Sequence, residues 1–106
     1  MVEFSDFKKL DMRIGEIKEV ENHPQADRLY LLKVDVGEKI IQLVAGLRQH
    51  YEAEELKGKK IVVITNLQPR QIRGITSEGM LLAASQEGVL SLLTVDREIG
   101  NGAAIS

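Results

Sequence analysis

The chain has no cysteine and no tryptophan, and just two prolines, two tyrosines and two phenylalanines in 106 residues. Without cysteine there is no disulfide framework, no thiolate zinc site and no thiol nucleophile, and a cytoplasmic location is the simplest fit. Long apolar runs are missing too. None approaches the roughly 20 residues that a membrane-crossing helix requires, and the opening MVEFSDFKKL lacks the charged-then-apolar pattern of a secretory leader. The length fits a single domain that can bury a modest core without metal or disulfide support.

What is present is unevenly placed. The formal net charge of −2 hides a run from Lys57 to Arg73 that holds Lys57, Lys59, Lys60, Arg70 and Arg73 and no acidic residue. The rest of the chain is strongly acidic. Such a basic strand and loop on an acidic body can focus a polyanion onto one face. A basic solvated surface with no partner is the other reading of the same charges.

Hydrophobic periodicity orders the elements. Phe4, Phe7 and Leu10 recur at helical spacing and predict a short N-terminal turn of helix packed on the body. In MRIGEIKEV (residues 12–20) the apolar phase shifts after Gly15, which predicts a strand bent by a glycine bulge. HPQAD (23–27) reads as a turn. LYLLKVDV (29–36) alternates as a half-buried strand, Gly37 and Glu38 make a tight connection, and KIIQLVAG (39–46) completes a three-stranded meander. RQHYEAEEL (48–56) predicts a helix ended by Gly58, with Leu47, Tyr51 and Leu56 turned inward. IVVITN (61–66) and MLLAAS (80–85) supply the fourth and fifth strands, and GVLSLLTV (88–95) a further apolar segment.

Three strands, a helix and two more strands is the order of an all-β, five-stranded OB-fold barrel with a short helix between strands 3 and 4. The predicted single domain covers residues 1–106, with a core over about 11–95 and extensions at 1–10 and 96–106. Between strands 4 and 5 lies NLQPRQIRGITSEGM (66–80), long for a hairpin connection and therefore a candidate binding loop. Ile72, Ile75 and Met80 can pin it to the core, and Pro69, Gly74 and Gly79 suit a shaped backbone.

No catalytic constellation accompanies these elements, and none of the motifs calls for a cofactor. His23 precedes Pro24 in a turn, which favours a structural role over acid–base work with Asp27. His50 sits on the predicted helix, and two lone histidines without cysteine make no metal site. Glu52, Glu54 and Glu55 read as a solvated helix face, and Gly74 with Gly79 lacks the Gly-Lys-Ser/Thr of a phosphate loop.

HPQADRL (23–29), VAGL (44–47), YEAEELKGKKIVVITNLQPR (51–70) and IRGITSEGMLLAAS (72–85) together resemble the tRNA-binding domain family. That family includes the C-terminal appendage of bacterial methionyl-tRNA synthetases, the endothelial monocyte-activating polypeptide domain and stand-alone structure-specific tRNA-binding proteins. The resemblance implies an OB-fold that recognises the folded shape of tRNA and performs no reaction. The length suits the stand-alone branch, whose members form homodimers through the N-terminal segment and the C-terminal extension and assist tRNA handling or aminoacylation in trans, with a synthetase as a further expected partner. A related branch resembles an export chaperone that binds peptides in the barrel groove, which is the alternative function.

The resemblance places RNA-facing roles on Lys33, Asn66, Arg70, Arg73, Ser77 and Met80, with Lys57, Lys59 and Lys60 as a supporting basic patch. Arginine suits bidentate phosphate contact, which gives affinity and register without sequence information. Asn66 and Ser77 can reach a ribose hydroxyl or a base edge, and Met80 can meet an exposed base. Each of these three has a bland counterpart, as loop cap, turn closure and core residue respectively. Single-strand readers stack bases on aromatic platforms worth about 1–3 kcal/mol each, and no aromatic lies in the basic segment. Shape recognition of a structured RNA is the better match.

Overall fold

The computed structural model describes residues 1–106. Its elements run α1 (Phe4–Phe7), β1 (Met12–Asn22), β2 (Tyr30–Asp35), β3 (Ile40–Ala45), α2 (Ala53–Leu56), β4 (Lys60–Ile64), β5 (Arg70–Ile72), β6 (Ile75–Ser77), β7 (Met80–Leu81), β8 (Ala83–Gln86) and β9 (Val89–Leu92). Antiparallel pairing gives a sheet in the order β3-β2-β1-β4-β7. β6 and β7 return beside β3, which curls the sheet into a nearly closed barrel. This is the OB arrangement, with α2 as the short helix between strands 3 and 4.

Alternation fixes which side chains fill it. Tyr30, Leu32 and Val34 of β2 and Ile41, Leu43 and Ala45 of β3 point inward and join Ile17, Ile61, Val63 and Leu56 in a cluster of 13 buried residues. Each fully buried aliphatic side chain contributes about 1.5–3 kcal/mol relative to exposure. Their outward neighbours, Leu31, Lys33, Gln42 and Val44, are left on the outer surface of the barrel wall.

β1 changes phase as its sequence suggests, but Gly15 is not the bulge. The register breaks at Lys18, between the pairs Ile17–Val34 and Glu19–Lys33. Gly15 instead permits a close crossing of strands: a β-carbon there would sit 2.6 Å from Val34 Cγ1. Met12 and Ile14 are buried apart from the main cluster, on the stretch whose backbone bonds to residues 102–105.

Three other expectations change. The helix predicted over 48–56 contracts to α2, preceded by a turn in which Tyr51 N–H donates to Leu47 O, because Glu52 is extended and begins the helix anew as its N-cap. Its inward side is as expected: Leu47 and Leu56 are buried and Tyr51 is half-buried. The predicted fifth strand divides at Leu82 into β7, which belongs to the barrel, and β8, which leaves it to pair with β9. Finally, α1 forms but buries none of its residues, and Phe4 is 72% exposed.

Candidate nucleic-acid interface

The long connection between β4 and β7 is a hairpin. β5 and β6 pair as Arg70–Ser77, Gln71–Thr76 and Ile72–Ile75, which leaves Arg73 and Gly74 as a two-residue turn. Both have positive φ, 52° and 84°, as a type I′ turn requires. Glycine adopts this conformation freely, but for arginine it costs on the order of 1–2 kcal/mol, and Asn, Asp or Gly is the usual occupant. A long cation is thus held in a strained position at an exposed tip.

Side chains hold the hairpin to the barrel at three levels. At the root, Ser77 is buried, its Oγ accepting from Val44 N–H at 3.0 Å and donating to Gly79 O at 3.0 Å. Beside it, Gln42 N–H donates to the Glu78 carboxylate at 2.7 Å, Glu78 N–H donates to Gln42 O at 2.8 Å, and the Gln42 amide donates to Thr76 O at 2.9 Å. At the tip, His23 is 3% exposed and its Nε2 lies 3.1 Å from Ile72 O. Nδ1 accepts from Gln25 N–H at 3.0 Å, which leaves Nε2 as the donor to Ile72 O. The structural role expected of His23 is thus a specific one.

The expected contact residues separate into two groups. Lys33 is exposed on the outer wall, where its ammonium donates to Gln42 Oε1 at 2.9 Å. Through Gln42 and Thr76 it joins a polar row that ends at Gln71, whose amide donates to Thr76 Oγ1 at 3.2 Å. Arg70 lines a small cleft of about 80 Å³ with Val44, Leu67, Ile72, Ser77 and Met80. Met80 is 44% exposed, so it forms an apolar wall of this cleft instead of entering the core. Arg73 stands at the tip, bordering the turn that carries Asp27 and Arg28.

Asn66 and Ser77 have their polar groups engaged by the protein itself. Asn66 Oδ1 accepts from Asp11 N–H at 2.8 Å and its Nδ2 donates to Lys9 O at 2.7 Å, which clips the N-terminal segment to the end of β4. Beside that clip, Arg13 donates to the Asp11 carboxylate at 2.7 Å and holds it below the ordinary aspartate range.

The basic run also divides. Lys60, expected as part of a supporting patch, turns its ammonium to Ile99 O at 2.9 Å and to Asn101 Oδ1, clamping the C-terminal segment. Lys57 borders a shallow depression with Glu19, Glu21 and Glu54, and Lys59 is exposed beside it in sequence. Sequence reading passed over Gln42, Gln71 and Thr76, which complete the polar row; the outward phase of Gln42 in β3 was the available signal.

A family model described as a putative tRNA binding domain matches residues 12–104. The chain belongs to this tRNA-binding domain family. Among curated relatives of the domain, the methionine–tRNA ligase of Thermococcus kodakarensis is 52% identical over 104 residues, which are 98% of this chain and 14% of the ligase. The chain therefore spans about one-seventh of the length of that relative. A methionyl-tRNA-synthetase-related protein from Pyrococcus horikoshii superposes with a TM-score of 0.93 at 33% identity, over 100% of this chain and 98% of that one. The chaperone CsaA of Picrophilus torridus superposes with a TM-score of 0.92 at 34% identity over 100% of both chains. No helix of this tRNA-binding domain is long and apolar enough to cross a membrane.

Proposed function

We propose that the chain is a non-catalytic binder of folded tRNA that reads shape through phosphate contacts and acts in the cytoplasm in trans, assisting tRNA handling or aminoacylation beside a synthetase. The observation that carries this reading is the exposed, conformationally strained Arg73 at the tip of a hairpin that also presents Arg70. Lys33 and the Gln42–Thr76–Gln71 row extend the surface with donors suited to phosphate and ribose oxygens. Met80 offers an apolar wall to an unpaired base, while Asn66 and Ser77 serve as scaffold.

Gel shifts of bulk tRNA at two salt concentrations test it. The expected result is a shift at low salt that weakens by roughly 0.7–0.9 log unit per log unit of salt for each phosphate neutralised. No shift at low salt would sink the reading.

The full-length superposition on a chaperone favours peptide binding as the second reading. An apolar peptide seated in the cleft beside Met80 would bind almost independently of salt, and that behaviour would replace the tRNA reading.

The same reading includes a homodimer formed through the extensions. Phe4 and Leu10 are exposed and Phe7 is half-exposed, with Ile99 also open on the C-terminal segment. Replacing Phe4 and Phe7 with Ser is expected to shift sedimentation from dimer to monomer while the barrel's melting temperature changes little. A wild-type monomer at micromolar concentration would remove this part of the proposal.

A further inference from the structure

We infer that His23 is a positioning residue for RNA binding: by holding the Ile72 carbonyl it fixes the hairpin tip and so aims the Arg73 guanidinium. The inference rests on the tRNA reading above and adds a residue that touches no ligand.

The β5–β6 hairpin has three residue pairs, and a short two-stranded ribbon is marginal on its own in water. Its root is secured by Ser77 and Glu78, Gln42 bonds Thr76 O and Ile72 and Ile75 are half-buried, but Gln71, Arg73 and Gly74 are exposed, so these contacts leave the direction of the tip to a further restraint. His23 supplies the missing point. It is itself held on both sides: its backbone N–H donates to Leu29 O at 3.1 Å just past the end of β1, Pro24 follows, and Nδ1 is bonded to Gln25 N–H. Its Nε2 then meets the carbonyl of the residue directly before Arg73. Both ring nitrogens are engaged and the ring is buried, so the work of the imidazole is geometric. A cation at the end of a fixed tip has already lost the orientational freedom that binding would otherwise remove.

Two substitutions separate the functions of the two nitrogens. His23→Asn keeps an acceptor for Gln25 N–H, as in an Asx turn, but is too short to reach Ile72. His23→Gln returns an amide N–H to the neighbourhood of Nε2. His23→Asn is expected to speed amide exchange in β5 and β6 and to weaken bulk tRNA about 3- to 10-fold, the equivalent of one hydrogen bond, with His23→Gln recovering most of both. In an Arg73→Ala background His23→Asn should change affinity less than about twofold, because a residue that acts through Arg73 has nothing left to aim.

Independent multiplication of the two effects would overturn the inference, as would a loosened hairpin with unchanged affinity or unchanged hairpin exchange. If His23→Asn lowers the melting temperature, a His23→Gln variant that restores exchange protection but not affinity would also overturn it. Absence of any wild-type shift at low salt would instead overturn the tRNA reading, and this inference with it.

Discussion

An Arg70→Ala, Arg73→Ala double substitution is expected to weaken binding of mixed tRNA by about 100-fold or more at moderate salt. Each charge-assisted contact contributes about 1.5–3 kcal/mol, and both arginines are exposed with no carboxylate bonded to either. The salt dependence should become shallower by about two phosphates' worth, and different tRNAs should lose affinity nearly equally, because phosphate contacts carry no sequence information. Loss confined to one tRNA would contradict shape recognition. Arg73→Asn sharpens the test, since asparagine tolerates the left-handed turn that strains arginine. It should melt at a slightly higher temperature than wild type while binding more weakly, so that stability and affinity move in opposite directions. A substitution that lowered both would mean that Arg73 supports the hairpin and does not serve the ligand.

Ser77→Ala is expected to cost about 1–3 kcal/mol of stability, because it removes a buried hydroxyl that makes two hydrogen bonds, one of them accepted from Val44 N–H. For a domain of this size each kcal/mol lowers the melting temperature by roughly 4–8 °C, so calorimetry should show a loss well outside error. Gly79 O loses its donor in the same step. Affinity for tRNA, measured where the variant is fully folded, should fall much less than in the arginine variants. The reverse pattern, an intact melt with lost binding, would make Ser77 a direct contact and return it to the set of RNA-facing residues.

The barrel was largely legible because Leu32, Val34 and Val36 alternate with Lys33 and Asp35, which leaves one face of β2 for the core, and burial followed it. Local signals failed where distant residues decide. Gly15 looked like a bulge because a strand's neighbours are not visible in its own sequence; Val34 and Val36 make it a crossing point. β5 and β6 are three residues each, and their turn carries arginine where Asn-Gly would have announced a hairpin. Asn66 and Ser77 read as RNA-facing, with a loop cap and a turn closure as the alternatives; Ser77 does close on Gly79, but Val44, Asp11 and Lys9, the other partners of this pair, lie 33, 55 and 57 positions away. Lys60 was counted with its neighbours in a charge run, although alternation and the C-terminal segment turn it to a carbonyl and an amide. Charge counts register sequence proximity, and folding redistributes it.

The junction of β3 with β6 and β7 has a kinetic consequence. The β1–β2–β3 meander assembles from pairings between chain neighbours, whereas Gln42 and Glu78 must meet across 36 positions. Closing that larger loop costs entropy before any bond there rewards it. The bonds at the junction, several made by side chains and not by a regular ladder, therefore form later than the meander. Weakening them should act mainly on how soon the folded molecule comes apart and little on how fast it assembles. The lifetime of the native barrel is then governed by the residues that carry the arginine hairpin.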